Sequence, residues 1–188
     1  MSTLALLAPL IKRQRIDRVR PFIRGDVLEI GCKDGATLDL GCPIGRYVGI
    51  DIDNDALVSA KARHPSREFV KKNVEVEPFG YVDAFDTILL IALVEHVLNQ
   101  RILFEQCREA LRMGGQLVLT TPTNFGNDIV HRWGARLGLF HKSVHDNHVV
   151  IYDRTRLQAA AAMTGFAVVI HRKFQFGCNQ LALLQKVR

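Results

Sequence analysis

"VLEIGCKDGATL", residues 27–38, carries an apolar run into Gly31 and reaches a second glycine at Gly35. Residues 26–30 read as a short buried strand, and the glycines as the turn that ends it. Gly31 lets the backbone turn sharply, and Gly35 lets the following segment pack closely on the strand. Residues 35–40 can open a helix, which Gly41, Cys42 and Pro43 stop early. A second strand follows at 46–51, RYVGID, and ends in the acid Asp51. In an open α/β sheet, ligands bind beyond the carboxyl ends of the strands. The turn and Asp51 are therefore the first place to look for a site.

Working outward, strand keeps alternating with helix. Asn54 to Arg63 has helical composition, with Asp53 or Asn54 placed to cap it. Residues 68–73 read as a third strand. Residues 85–92, FDTILLIA, are the most apolar strand, a continuous β-rich run of the kind buried on both faces. Residues 99–112 show helical spacing through Ile102, Leu103, Cys107 and Leu111, with Met113-Gly114-Gly115 as the expected stop. GQLVLTTP is a fifth strand. Arg154–Thr164 is an alanine-rich helix, and FAVVIHRKF and FGCNQLALLQKV are two strands close enough to pair antiparallel. The expectation is one α/β domain over residues 1–188: a doubly wound, mostly parallel, Rossmann-like seven-stranded sheet with an antiparallel C-terminal strand. Residues 1–24 form a helical segment, as one helix or as two divided near Pro9. Residues 123–150, rich in Gly, His and Asn, read as an insertion shaping a pocket.

Composition narrows the classes. The chain has 188 residues, 48% hydrophobic and 23% charged, as expected of a globular protein. No apolar run reaches the roughly 18–20 residues of a membrane span. The N-terminus places apolar residues before its basic run, the reverse of a signal peptide. The cysteines Cys32, Cys42, Cys107 and Cys178 form no CxxC pair and no zinc spacing, which fits reduced thiols in a cytoplasm. A net charge of +6 favours anionic partners or marks a solvated basic face. No RNA-binding signature with interleaved aromatics accompanies it.

The turn itself selects a ligand class. A nicotinamide dinucleotide wants G-x-G-x-x-G, with a helix start facing the pyrophosphate. G-C-K-D-G lacks the middle glycine and the third spacing. Glu29 and Asp34 beside it repel a pyrophosphate and attract a cation. Asp51, 16 residues after Gly35, is placed to hold ribose hydroxyls. S-adenosylmethionine, with a sulfonium, an ammonium and a ribose but no phosphate, matches that charge pattern.

E-I-G-C-x-x-G resembles the first motif of class I S-adenosylmethionine-dependent methyltransferases. "YVGIDID", "KKNVEVEPF", "FDTILLIALVEHV" and "LRMGGQLVLTTPT" resemble the family's next four blocks in order, and "HVVIYDRTRLQAAAAMTGF" is similar to a late segment of its small members. The resemblance spans residues 20–185. It implies that Glu29 orients the cofactor's ammonium, and that Gly31, Cys32 and Gly35 offer backbone to it. It implies that Asp51 binds the ribose, Ile52 lies on the adenine, Asn73 and Val74 meet the adenine edge, and Ile91 with Ala92 lines the methyl-donor pocket. Lys33 stands where the family carries its middle glycine. It either crowds the cofactor or points to solvent, for instance paired with Asp34.

His96 is the candidate general base, or else a residue that fixes the loop after the fourth strand. Cys32 is a packing residue, not a nucleophile. His131, His141, His145 and His148 lie in the insertion without metal-ligand spacing, so no metal is expected. Trp133 and Phe140 can line an apolar pocket or anchor the insertion. The D/N-P-P-Y/F motif of amino-group methylation is absent after the fourth strand. The favoured reading is methyl transfer to a small-molecule acceptor. An RNA methyltransferase and a non-catalytic cofactor-binding module stay open.

Overall fold

The computed structural model describes residues 3–126 and 152–187. Strands β1 (Gly25–Ile30), β2 (Ile44–Asp51), β3 (Glu68–Lys71), β4 (Phe85–Ile91), β5 (Leu111–Pro122), β6 (Phe166–Phe174) and β7 (Asn179–Lys186) form one seven-stranded sheet in the order β3-β2-β1-β4-β5-β7-β6. Strands β1 to β5 pair in parallel, and β7 runs antiparallel to both β5 and β6. This is the expected doubly wound architecture. Chain direction across the sheet reverses between β1 and β4, which opens a crevice at their carboxyl ends.

The apolar strands alternate between two packed layers. Leu28, Ile88, Leu90, Leu117, Leu119, Ala182 and Leu184 face one cluster, which takes in Leu103, Phe104, Cys107, Leu157 and Ala161. Those residues come from α3 (Gln100–Ala110) and α4 (Arg154–Met163). The intervening Val27, Leu89, Val118, Leu181 and Leu183 face a second cluster with Val19 and Ile23. Strands that must bury both faces can carry apolar residues at every position, which is why 85–91 reads as a continuous run.

Helix α1 (Thr3–Val19) is one helix that continues through Pro9, and residues 20–22 tighten into a 3-10 turn. It brings Lys12, Arg15 and Ile16 to the crevice. Helix α2 (Asn54–Arg63) is capped by Asp53, whose carboxylate accepts from the N–H groups of Asp55 and Ala56. No helix among the described residues is long and apolar enough to cross a membrane.

Two differences from the expected elements are substantial, while β2 starts two residues earlier and β3 ends two residues sooner than expected. The helix expected to reach residue 112 ends at Ala110, and β5 begins at Leu111. Buried Leu111 pairs with buried Phe85, so the chain becomes extended before the glycines are reached. Met113-Gly114-Gly115 therefore lies inside the strand, where the β4–β5 register slips. A Cβ on Gly115 would stand 2.8 Å from the Arg112 carbonyl oxygen. Residues 36–40 form a 3-10 turn closed by Gly41 at φ 64°. Most of the 123–150 insertion, with its four histidines, Trp133 and Phe140, lies outside the described residues. Its first residues are pinned to the β6–β7 turn: Thr123 donates from its hydroxyl to the Gly177 carbonyl, and its N–H to that of Cys178.

Candidate active site

The opening turn hangs from the end of β2. The N–H groups of Gly31 and Cys32 both donate to the Ile50 carbonyl, at 2.8 and 3.2 Å. The Lys33 N–H donates to Asp51 Oδ2 at 2.8 Å, and the Gly35 N–H to the Cys32 carbonyl at 2.9 Å. Gly31 has φ 75°, and a Cβ there would come within 3.1 Å of Leu93. Lys33 has φ 46°, the left-handed conformation glycine prefers. The lysine thus takes up the backbone shape of the residue it replaces, at a strain of about 1–2 kcal/mol. Its side chain is exposed. Asp34 is not its partner: that carboxylate pairs with Lys12 at 2.9 Å and with Arg63 at 3.5 Å.

These bonds decide what the turn can hold. A phosphate needs free N–H groups, and those of Gly31, Cys32, Lys33 and Gly35 are all engaged within the chain. Cys32 is buried, and its Sγ would stand 2.7 Å from a Cβ on Gly49, which is why β2 needs a glycine there. Burial and the acids around it push the Cys32 thiol well up, so it is a packing residue.

Glu29 and Asp51 flank the turn differently. Glu29 is 3% exposed, accepting from the Thr37 hydroxyl at 2.8 Å and the Tyr47 hydroxyl at 2.7 Å. Burial pushes its carboxyl up to about 7 against those two hydrogen bonds. Asp51 accepts from the Asp53 N–H on Oδ1 at 2.9 Å and from Lys33 on Oδ2, leaving each oxygen a lone pair. Ile52 beside it is 62% exposed, an apolar face without a protein partner large enough to cover it.

Two cavities meet at this turn. The smaller, about 330 Å³, has Asp51, Ile52, Asn73 and Val74 in its wall. The larger, about 560 Å³, has Glu29, Thr37, Arg15, Glu95 and Asn179 in its wall. Gly31, Lys33, Ile91, Ala92 and His96 line both. Ala92 stands at φ 51°, its N–H donating to the Thr120 carbonyl at 2.9 Å, so the chain turns away just where the cavities join. Asn73 is folded on its own loop, with Oδ1 accepting from the Glu75 N–H and its N–H donating to Glu77.

A family model described as a methyltransferase domain matches residues 5–171, which include the whole wall of the smaller cavity and that of the larger one apart from Cys178 and Asn179. The chain belongs to the S-adenosylmethionine-dependent methyltransferase family. A "probable S-adenosylmethionine-dependent methyltransferase" of Mycobacterium tuberculosis is 30% identical over 98 residues, 52% of this chain and 35% of that protein. A tRNA U34 carboxymethyltransferase of Shewanella denitrificans is 32% identical over 127 residues, 62% of this chain and 38% of that one. The chain thus spans little more than a third of the length of these curated relatives. The crystal structure of magnesium protoporphyrin IX methyltransferase from Synechocystis PCC 6803, solved with bound SAH, superposes with a TM-score of 0.75 over 99% of this chain and 88% of that one. At 13% identity that likeness concerns the fold.

Within the methyltransferase domain, every residue to which the sequence assigned a cofactor or catalytic role, except Gly35, lines one cavity or the other. Gly35 instead lies under His64 and Phe69, where a Cβ would meet both at 3.4 Å. His96 sits exposed in a 3-10 turn, Val94–His96, at the cavity junction. It does not cap α3. Asn99 does, accepting from the Ile102 N–H. The sequence reading passed over Glu95. It is 3% exposed, Oε2 finds no hydrogen-bond partner among the described residues, and burial raises its carboxyl. Its signal was an acid directly after the apolar run 88–94. Arg15 and Asn179 gave no signal, since they reach the cavity from the two ends of the chain.

Proposed function

We propose that this domain transfers the methyl group of S-adenosylmethionine to a small-molecule acceptor. The observation that carries the reading is the junction of the two cavities at Gly31 and Ala92, with Asp51 on one side and Glu29 on the other. S-adenosylmethionine, when bound, supplies a methyl group already activated on a sulfonium. The turn fits such a ligand because the N–H groups of Gly31, Cys32, Lys33 and Gly35 are turned to partners within the chain and two carboxyl groups stand nearby. On this reading Asp51 takes the ribose hydroxyls on its remaining lone pairs. Ile52 covers one adenine face, with Asn73 and Val74 at its edge. Glu29 meets the ammonium, and the bare face of Gly31 admits the methionine chain.

The protein's task is alignment and exclusion of water, because in-line methyl transfer needs little else. Ile91 and Ala92 wall the junction. The remainder of the larger cavity, toward Arg15, Glu95 and Asn179, is the acceptor space. Glu95 and His96 are the groups there able to hold an acceptor proton.

A small acceptor is favoured over RNA because three of the basic residues between 61 and 72 are tied into the fold. Arg63 bonds Asp39 and the Asp34 carbonyl, Arg67 the Gly45 carbonyl, and Lys72 the Pro78 and Phe79 carbonyls. The test is incubation of the protein with methyl-labelled S-adenosylmethionine and three separate pools: low-molecular-weight extract, total RNA and total protein. Label in the first pool supports the proposal. Label confined to RNA replaces it with the RNA reading. Tight binding of S-adenosylhomocysteine without label in any pool leaves a binding module.

A further inference from the structure

Resting on the reading above, we infer that the acceptor carries an oxyanion, a carboxylate or phosphate, which the guanidinium of Arg15 binds in the larger cavity. Arg15 is half-buried in the cavity wall. Its Nε donates to Asn179 Oδ1 at 3.1 Å. Among the described residues no carboxylate comes within salt-bridge distance of it, and its two terminal nitrogens have no partner. Burial lowers its basicity, with Glu95 opposing from longer range.

Its one bond belongs to a chain of amides that fixes its position. Asn179 is buried, and its Nδ2 donates to Gln175 Oε1 at 2.5 Å. Gln175 in turn donates from Nε2 to the Ile11 carbonyl at 3.2 Å and to Gln14 Oε1 at 2.9 Å. Helix α1 is thereby locked to the β6–β7 turn, and the guanidinium is held by its inner edge. The outer edge, with two parallel N–H donors, is the part that binds an oxyanion in a bidentate manner. The other cations of the wall serve less well. Lys12 is paired with Asp34, and Lys33 is exposed. A half-buried cation without a counter-ion among the described residues is costly, and an anionic acceptor removes that cost while it orients the other end of the molecule toward the cavity junction.

The experiment separates a low-molecular-weight extract of the native cells on an anion exchanger at pH 8 before labelling. The retained and flow-through fractions are each incubated with labelled S-adenosylmethionine and either wild type, Arg15→Gln or Arg15→Lys. Acceptor activity is expected in the retained fraction. Arg15→Gln should raise the apparent KM for that fraction at least tenfold with a smaller change in kcat, and Arg15→Lys should recover part of it. Thermal midpoint and S-adenosylhomocysteine affinity should stay at wild-type values in both variants. Phosphatase treatment of the fraction abolishes the activity if the anion is a phosphate and spares it if it is a carboxylate. Activity in the flow-through alone, or an unchanged KM in Arg15→Gln, overturns the inference while leaving methyl transfer standing. A fall in thermal midpoint that Arg15→Lys shares, with KM unmoved, shows a structural pin and also overturns it. Label in neither fraction overturns the small-molecule reading together with this one.

Discussion

The backbone N–H of Lys33 donates to Asp51 Oδ2 at 2.8 Å, so the glycine turn after β1 and the acid ending β2 form one structure. Removing the charge of Asp51 therefore acts on both. Asp51→Asn keeps one acceptor oxygen but turns an NH2 toward the N–H of Lys33 or of Asp53. Affinity for S-adenosylhomocysteine should fall by about ten- to a hundredfold, one to two tenfold steps of about 1.4 kcal/mol. Isothermal titration measures it, and undiminished affinity would remove Asp51 from the site.

Lys33 contributes through its backbone. Glycine keeps the N–H that reaches Asp51 and adopts φ near 46° without strain, while it gains freedom in the unfolded chain. The two effects oppose each other. Lys33→Gly should shift unfolding free energy by no more than about 1 kcal/mol. S-adenosylhomocysteine affinity should change by less than about threefold. A large gain in affinity would mean that the lysine side chain obstructs the pocket after all.

Burial raises the Glu29 carboxyl to about 7, which sets a pH dependence. Between the ordinary glutamate range and pH 7 the folded protein binds more protons than the unfolded chain. Stability attributable to Glu29 is thus present at low pH and lost as pH rises through 7, by about 3 kcal/mol. Urea midpoints from pH 5 to pH 8 should fall in wild type and fall less steeply in Glu29→Gln. Glu95, whose carboxyl burial also raises, contributes to the slope left in that variant. Equal slopes in the two proteins would contradict the assignment. If the ligand's ammonium sits beside Glu29, binding near pH 6.5 should also release a proton, detected as a dependence of the calorimetric enthalpy on buffer.

Thiol reactivity follows burial. Cys32 and Cys107 are buried and their thiols are pushed well up, whereas Cys42 and Cys178 are only partly covered. A disulfide exchange reagent at pH 8 should modify two thiols quickly, and peptide mapping should find them at Cys42 and Cys178. Early modification of Cys32 would show that the turn opens in solution.

Much of the fold was legible because local pattern and global role agreed. The run 88–91 is apolar throughout because both its faces are covered. Asp53 reads as a cap and does cap its helix, and Asp153 caps α4 in the same way, accepting from the Arg156 N–H. The glycines at 114–115 misled, since a helix stop and a strand irregularity use the same residue. Only the pairing of Leu111 with Phe85, 26 residues earlier, separates the two. Gly49 likewise gave no sign that it makes room for Cys32.

The sequence alone determined the order of strands and helices, the glycine turn at 31–35 and the acid at 51, because each is written in neighbouring residues through periodicity, capping and turn chemistry. The acceptor side was decided by tertiary structure. Arg15, Glu95 and Asn179 lie on a helix, a loop and a strand far apart in the chain, and nothing in local pattern records which helix covers which strand end. They come together because α1 packs on the sheet beside β5 and β7, and the amides of Gln175 and Asn179 hold it there.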